Sequence, residues 1–186
     1  MNPIVLPVAL QLLLATSVVI AAIYDLRDRR IPNRLNLAVA VLGLTCNAIL
    51  FHWRGVEGAL LGAGLATLVY VPLYLLRGMG AGDVKLMFAI GAVAGPAHWF
   101  DIFVGTALIG AALGLCLAVL KQRLGHTLLN LQFLVSELTH FRLPHGAAPD
   151  LDVRNPQALR LPHGVSIALG SLTAILVPYF VPGVAH

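Results

Sequence analysis

Charge is what this sequence has least of. Asp, Glu, Lys and Arg make up 11% of its 186 residues, against about a quarter in soluble domains, and 59% are hydrophobic. That balance excludes an ordinary soluble domain and implies a membrane protein. Cysteine is nearly absent: Cys46 and Cys116 both fall inside apolar runs, which excludes a disulfide framework or a zinc-type cluster and leaves two small core residues. The 7 histidines are scattered with no pair at ligand spacing within a helix, so neither a metal site nor a cofactor is expected. No internal repeat divides the chain into the paired halves of a transporter. The first apolar run lacks the cationic leader and small-residue cleavage site of a signal peptide, and is expected to stay as a membrane anchor.

What remains is apolar sequence, in six runs near 4–24, 35–52, 58–76, 84–99, 102–120 and 164–182. Each approaches the length that crosses a hydrocarbon core of about 30 Å. The expected fold is therefore an all-α membrane protein, a bundle of about six transmembrane helices forming one domain over 1–186, with its longest loop at 121–162. Arg27, Arg29, Arg30 and Arg34 follow the first run, Arg77 and Lys85 lie between the third and fourth, and Lys121, Arg123, Arg142, Arg154 and Arg160 lie between the fifth and sixth. These connections share one side, and of the 12 basic residues only Arg54 is left for the other. The positive-inside rule makes the charged side cytoplasmic and both termini external. The net charge of +4 is thus mostly topology, not the solvated basic face of a nucleic-acid binder.

Trp53 and Trp99 are expected at external span ends, where an amphipathic ring prefers the interface. Gly58 and Gly62, and Gly110 and Gly114, recur four apart on one helical face and permit close helix packing. In the long loop, "LGHTLLNLQFLVSELTHF" reads as an amphipathic surface helix, and the Pro-rich stretch after it as irregular.

With only 8 acidic residues, each carboxylate can be weighed. Glu57 and Asp101 belong to external turns; Glu137, Asp150 and Asp152 belong to the long loop. Asp28 is a solvated charge among arginines. Asp25 ends the first span in "IAAIYDLRDRRIPNRLN", and Asp83 opens the fourth in "GMGAGDVKLM" after Gly78, Gly80 and Gly82. On this topology both reach the cytoplasmic edge of the bilayer, so carboxylates from two helices can meet at one depth. Two that share a poorly hydrated site cannot both ionise cheaply, and the pair then holds one proton, one member an acid and the other a base. Such a pair can activate water and polarise a peptide carbonyl. A blander reading also fits: Asp83 as the cap of its helix, and Asp25 as a balance for the arginines after it. Neither is expensive, because a span end avoids the ~2.5–3.5 kcal/mol of mid-membrane burial.

The strings themselves are more specific. "YDLRDRRIPN" followed by "GAGDVK" opening a later span resembles the type IV prepilin peptidases, membrane aspartic proteases with a Gly-x-Gly-Asp motif. The likeness runs from about residue 10 to 120 and resumes at "LPHGVSIALG", where His163 takes the place of a common aromatic. The resemblance implies that Asp25 and Asp83 are the catalytic dyad. It also implies that the substrate is a prepilin or pseudopilin whose short leader is removed at the cytoplasmic face of a prokaryotic inner membrane, as part of a pilus assembly or secretion system. Larger members carry a cysteine-containing segment and methylate the new N-terminus. This chain is similar to the short Flp/Tad-type enzymes, and a peptidase without methyltransferase is expected, with no nucleic-acid partner.

Supporting roles follow from neighbouring residues. Gly80 and Gly82 would let the loop approach the scissile backbone. Lys85 points away from Asp83 on a helix and would snorkel to the surface or support the site. Pro32 and Asn33 would start the second span, Asn33 as its cap. Two other readings stay open. Tyr24-Asp25 with GAGD also matches the pairs of presenilin-like intramembrane proteases, though those have more spans and a Pro-Ala-Leu motif. A proton-coupled carrier would need polar groups in the external half, where Asn47, Thr67 and Thr106 are the candidates.

Overall fold

A computed structural model describes residues 5–75, 79–121 and 163–180. The surface helix expected in the 121–162 loop lies outside the described residues. Among the described residues four helices carry the fold: α1 Val8–Asp28, α2 Asn33–Leu75, α3 Ala81–Leu120 and α4 His163–Phe180. All four are long and apolar enough to cross a membrane. Their outward faces carry exposed Leu12, Leu61, Leu108 and Leu176; helices apolar all round belong in lipid, where no hydrated face is needed.

The count among the described residues is four rather than about six, and the reason lies in two breaks. His52 (φ 54°, ψ −136°) interrupts α2, and Gly95 (φ 71°, ψ 176°) interrupts α3, with helix resuming on the far side of each. No loop separates the limbs, so each pair counts as one helical element. Both elements nevertheless double back. A Cβ on Gly55 would run into the carbonyl of Asn47, although residues eight apart on a straight helix are separated by about 12 Å. Likewise Asp83 and Gly110 line one cavity, where a straight helix would hold them about 40 Å apart.

The break in α3 has a chemical cause and a chemical repair. Pro96 has no N–H to give the carbonyl of Ala92, its partner four residues back. The buried Asn47 of α2 supplies the missing donor: its Nδ2 bonds Ala92 O at 3.1 Å and Val93 O at 3.0 Å, as well as Gly43 O at 3.0 Å. Asn47, a candidate for an ion path from sequence, is thus a structural clamp. The turn sits at Gly95, earlier than the 99–102 gap between the expected spans, and this moves Trp99. Instead of lying at the interface, Trp99 is fully buried, stacked on Phe103 at 5.5 Å with its edge contact to Tyr70 at 6.1 Å. Trp53, just past the other break, is 77% exposed.

The first limb of α3 is the centre of the bundle. Leu86, Met87, Ala89, Ile90 and Val93 are buried, and Gly91 meets Gly62 of α2 backbone to backbone, an approach that any Cβ on either residue would block. Gly58 and Gly114, by contrast, have open space where a side chain would go. On α1 the buried residues Leu10, Leu14, Val18 and Ala21 form one stripe at helical spacing. Asp25 is the next position on it. The stripe that packs α1 into the bundle therefore ends on a carboxylate.

Candidate active site

Asp25 is half-buried at the last turn of α1. That helix stops at Arg29, whose left-handed backbone (φ 50°) lets its N–H bond the carbonyl of Asp25 at 3.0 Å. The carboxylate is held from a distant part of the chain: Gly164 N–H donates to Asp25 Oδ2 at 2.8 Å. Gly164 is the second residue of α4, so the positive end of that helix addresses the carboxylate. Close packing requires glycine there, because a Cβ would stand 2.8 Å from Asp25 Cβ and 2.9 Å from Oδ2.

Asp83 lies in the first turn of α3 and is buried, with 9% of its surface exposed. Its Oδ2 accepts the Gly80 N–H at 3.2 Å, which gives the capping reading a share of the truth: one oxygen caps the helix from inside its first turn. Among the described residues Oδ1 has no hydrogen bond. Asp83 is within electrostatic reach of both Asp25 and His163, and it shares a cavity of about 220 Å³ with Tyr70, Met79 and His163. The end of α1, the start of α3 and the start of α4 therefore converge, bringing two carboxylates and one imidazole together.

The remaining sequence candidates form a brace around this point. Lys85 Nζ donates to Asn33 Oδ1 at 2.9 Å, so these two expected supporting residues meet each other at the surface. Asn33 does not cap α2; the carbonyl of Pro32 accepts the N–H groups of Leu35 at 3.1 Å and Asn36 at 3.3 Å, and the Asn33 side chain is thereby free for Lys85. Asn36 Nδ2 donates to Gly82 O at 3.3 Å, and a Cβ on Gly82 would touch Ile31 at 3.4 Å. These contacts fix the α1–α2 turn against the start of α3, and so set the separation of Asp25 and Asp83. Gly80 is in extended conformation (φ −80°) and touches the Asp83 carboxylate itself.

Sequence reasoning missed the part played by α4. His163 stood out only as a departure from an aromatic, and Gly164 not at all. Among the described residues no three of His, Cys, Asp and Glu are placed to hold a metal ion.

Comparison with known proteins points the same way. The sequence pattern of the type IV leader peptidase family matches residues 12–115. A prepilin leader peptidase/N-methyltransferase of Xanthomonas campestris is 34% identical over 100 residues, 48% of this chain and 33% of that protein. One from Escherichia coli K12 is 35% identical over 80 residues, 40% of this chain and 36% of that protein. The matched part of the chain thus spans about a third of the length of these relatives. No solved structure matches.

Proposed function

Since the chain belongs to the type IV leader peptidase family, we propose that it is a membrane aspartic endopeptidase that removes the short leader of a prepilin or pseudopilin, with Asp25 and Asp83 as its dyad. The observation that carries this reading is the meeting of the two carboxylates, from different helices, in a site where Asp83 Oδ1 has no hydrogen bond among the described residues. One carboxylate takes a proton from water as the oxygen attacks the scissile carbonyl. The other, protonated, gives its proton to the carbonyl oxygen. Collapse of the tetrahedral adduct breaks the C–N bond: the proton taken from water passes to the leaving amine, and one hydroxyl of the adduct returns its proton to the second carboxylate, which restores the singly protonated pair. His163, when protonated, places positive charge beside Asp83, and the α4 N-terminus holds Asp25 in position.

The same proposal covers topology. The two doubled helices make six crossings, the basic connections lie in the cytoplasm, and the ends of α1, α3 and α4 that carry the site open on the cytoplasmic face of a prokaryotic inner membrane. Residues 1–186 form one peptidase unit with a cytoplasmic segment at 121–162, working beside a pilus or secretion assembly. Gly80 and Gly82 lie along the path of the substrate backbone, while Lys85, Asn33 and Pro32 support the site from outside. Leader removal without N-methylation is the whole activity proposed. The carrier reading is weakened because Asn47 spends its amide on α3.

Co-expression with a prepilin tests this directly. Shortened pilin is expected with the wild-type chain and none with Asp25→Asn or Asp83→Asn; cleavage undiminished in either variant removes that residue from the dyad. Mass spectrometry of the mature N-terminus is expected to give an unmethylated product.

A further inference from the structure

Charge around the two carboxylates does not balance without a further side chain. Asp83 is buried and Asp25 half-buried, and a pair that shares one proton still carries one net negative charge. In a poorly hydrated site that charge is costly unless an opposite one stands near it. The ordinary cations are directed elsewhere. Arg27, Arg29, Arg30 and Arg34 are exposed, and Lys85, also exposed, gives its Nζ to Asn33. Among the described residues no Lys or Arg forms an ion pair with either carboxylate. The N-termini of α3 and α4 supply only the fixed partial charges of their backbone dipoles.

His163 is placed to supply a full one. It is the first residue of α4 and the neighbour of Gly164, whose N–H holds Asp25 Oδ2 at 2.8 Å. It also lines the cavity that Asp83 lines. The backbone thus ties the imidazole to one carboxylate and the cavity joins it to the other, with Asp83 inside its electrostatic reach. The ring is half-buried and has no hydrogen-bond partner among the described residues. Facing it are Asp25 from α1, Asp83 from the first limb of α3 and the Tyr70 phenol from α2; the second limb of α3 brings no ionisable side chain to the cavity. A phenol stays neutral below about pH 10, so the carboxylates and the imidazole are the groups there that change charge at physiological pH.

We propose that His163 is the counter-ion of the carboxylate pair: its imidazolium balances the single negative charge that the pair carries in its working form. The proposal rests on the leader-peptidase reading for the reaction. His163 is a positioning residue, since it acts through the carboxylates and not on the peptide. A cation there opposes entry of a second proton into the pair, so the singly protonated form persists further as pH falls. An opposite charge at close range shifts carboxylate titration by about 1–3 pH units, and a half-buried imidazole belongs at the low end. In His163→Phe, which keeps a ring, the acid limb of kcat/KM for prepilin cleavage is therefore expected about one pH unit higher than in the wild type, a loss of about tenfold at a fixed pH on that limb. His163→Lys, which keeps a full charge, is expected to retain the wild-type limb. An unmoved limb in His163→Phe overturns the counter-ion, with or without a fall in thermal stability. An equal shift in His163→Lys overturns it too, because shape and not charge would then be responsible.

A second measurement needs no substrate. Dicyclohexylcarbodiimide modifies protonated carboxyl groups in apolar surroundings, and mass spectrometry of the segments carrying Asp25 and Asp83 follows the modification at each pH. In His163→Phe the modification is expected to persist to about one pH unit higher than in the wild type; identical curves overturn the counter-ion. A shifted curve without any prepilin cleavage keeps the counter-ion and removes the peptidase. Cleavage with both the acid limb and the modification curve unmoved does the reverse.

Discussion

Gly164→Ala puts the α1–α4 contact under the most direct strain. The new methyl carbon would begin 2.8 Å from Asp25 Cβ and 2.9 Å from its Oδ2, whereas carbon atoms rest at about 3.5–4.0 Å. The two helix ends must part by roughly 0.7 Å or more to reach that spacing. The bond from Gly164 N–H to Asp25 Oδ2, now 2.8 Å, would lengthen to about 3.5 Å, the edge of what counts as a hydrogen bond. Bonds to ionised groups contribute about 1.5–3 kcal/mol. At about 1.4 kcal/mol per factor of ten, kcat/KM for prepilin cleavage should fall about 10- to 100-fold. Gly58→Ala is the control, because a methyl group there meets nothing within 4 Å; in a helix it should leave activity unchanged and add up to about 1 kcal/mol of stability. Both variants are assayed as purified protein in lipid with a prepilin substrate, alongside thermal unfolding. Wild-type kcat/KM in Gly164→Ala would refute the idea that α4 positions Asp25.

Asn47→Leu removes three hydrogen bonds and strands the carbonyl that Pro96 leaves open; a loss of about 2–4 kcal/mol is expected, read as a lowered unfolding temperature with partial activity in the surviving fraction. Trp99→Ala should cost about 3–5 kcal/mol, whereas Trp53→Ala, on an exposed ring, should stay within about 0.5 kcal/mol; equal effects would contradict the buried stacking with Phe103. Lys85→Ala breaks a bond to Asn33 at an exposed position, so stability should change by no more than about 1 kcal/mol and kcat/KM by a few-fold; abolished cleavage would place Lys85 in the chemistry instead of the brace.

The pairing of Asp25 with Asp83, which we propose as the dyad, was legible because the chain is so apolar. Carboxylates are few, each position is conspicuous, and two at one bilayer edge form a pattern even before their packing is known. The doubling points were less legible. Gly95 and Pro96 fall inside the fourth apolar run, but the apolar residues after them extend the expected span to Trp99, and His52 carries none of the glycine or proline chemistry that marks a turn. Trp99 shows a deeper limit: at a span end a tryptophan can face lipid headgroups or the bundle interior, and flanking sequence is greasy in both cases. Asn33 has the chemistry of a cap, yet the carbonyl one residue earlier serves, which only the backbone geometry decides. His163 and Gly164 lie 138 and 139 residues from Asp25 in sequence, and no local pattern places them beside it.

Because Asn47 locks the bend at Pro96, the limb bearing Asp83 and the limb bearing Thr106 and Gly110 are two arms of a rigid staple. The cavity between the arms can then be reshaped by single replacements on the outer arm while Asp83 keeps its place. Under the proposed peptidase function, changes to that wall are therefore separable from changes to the carboxylate pair.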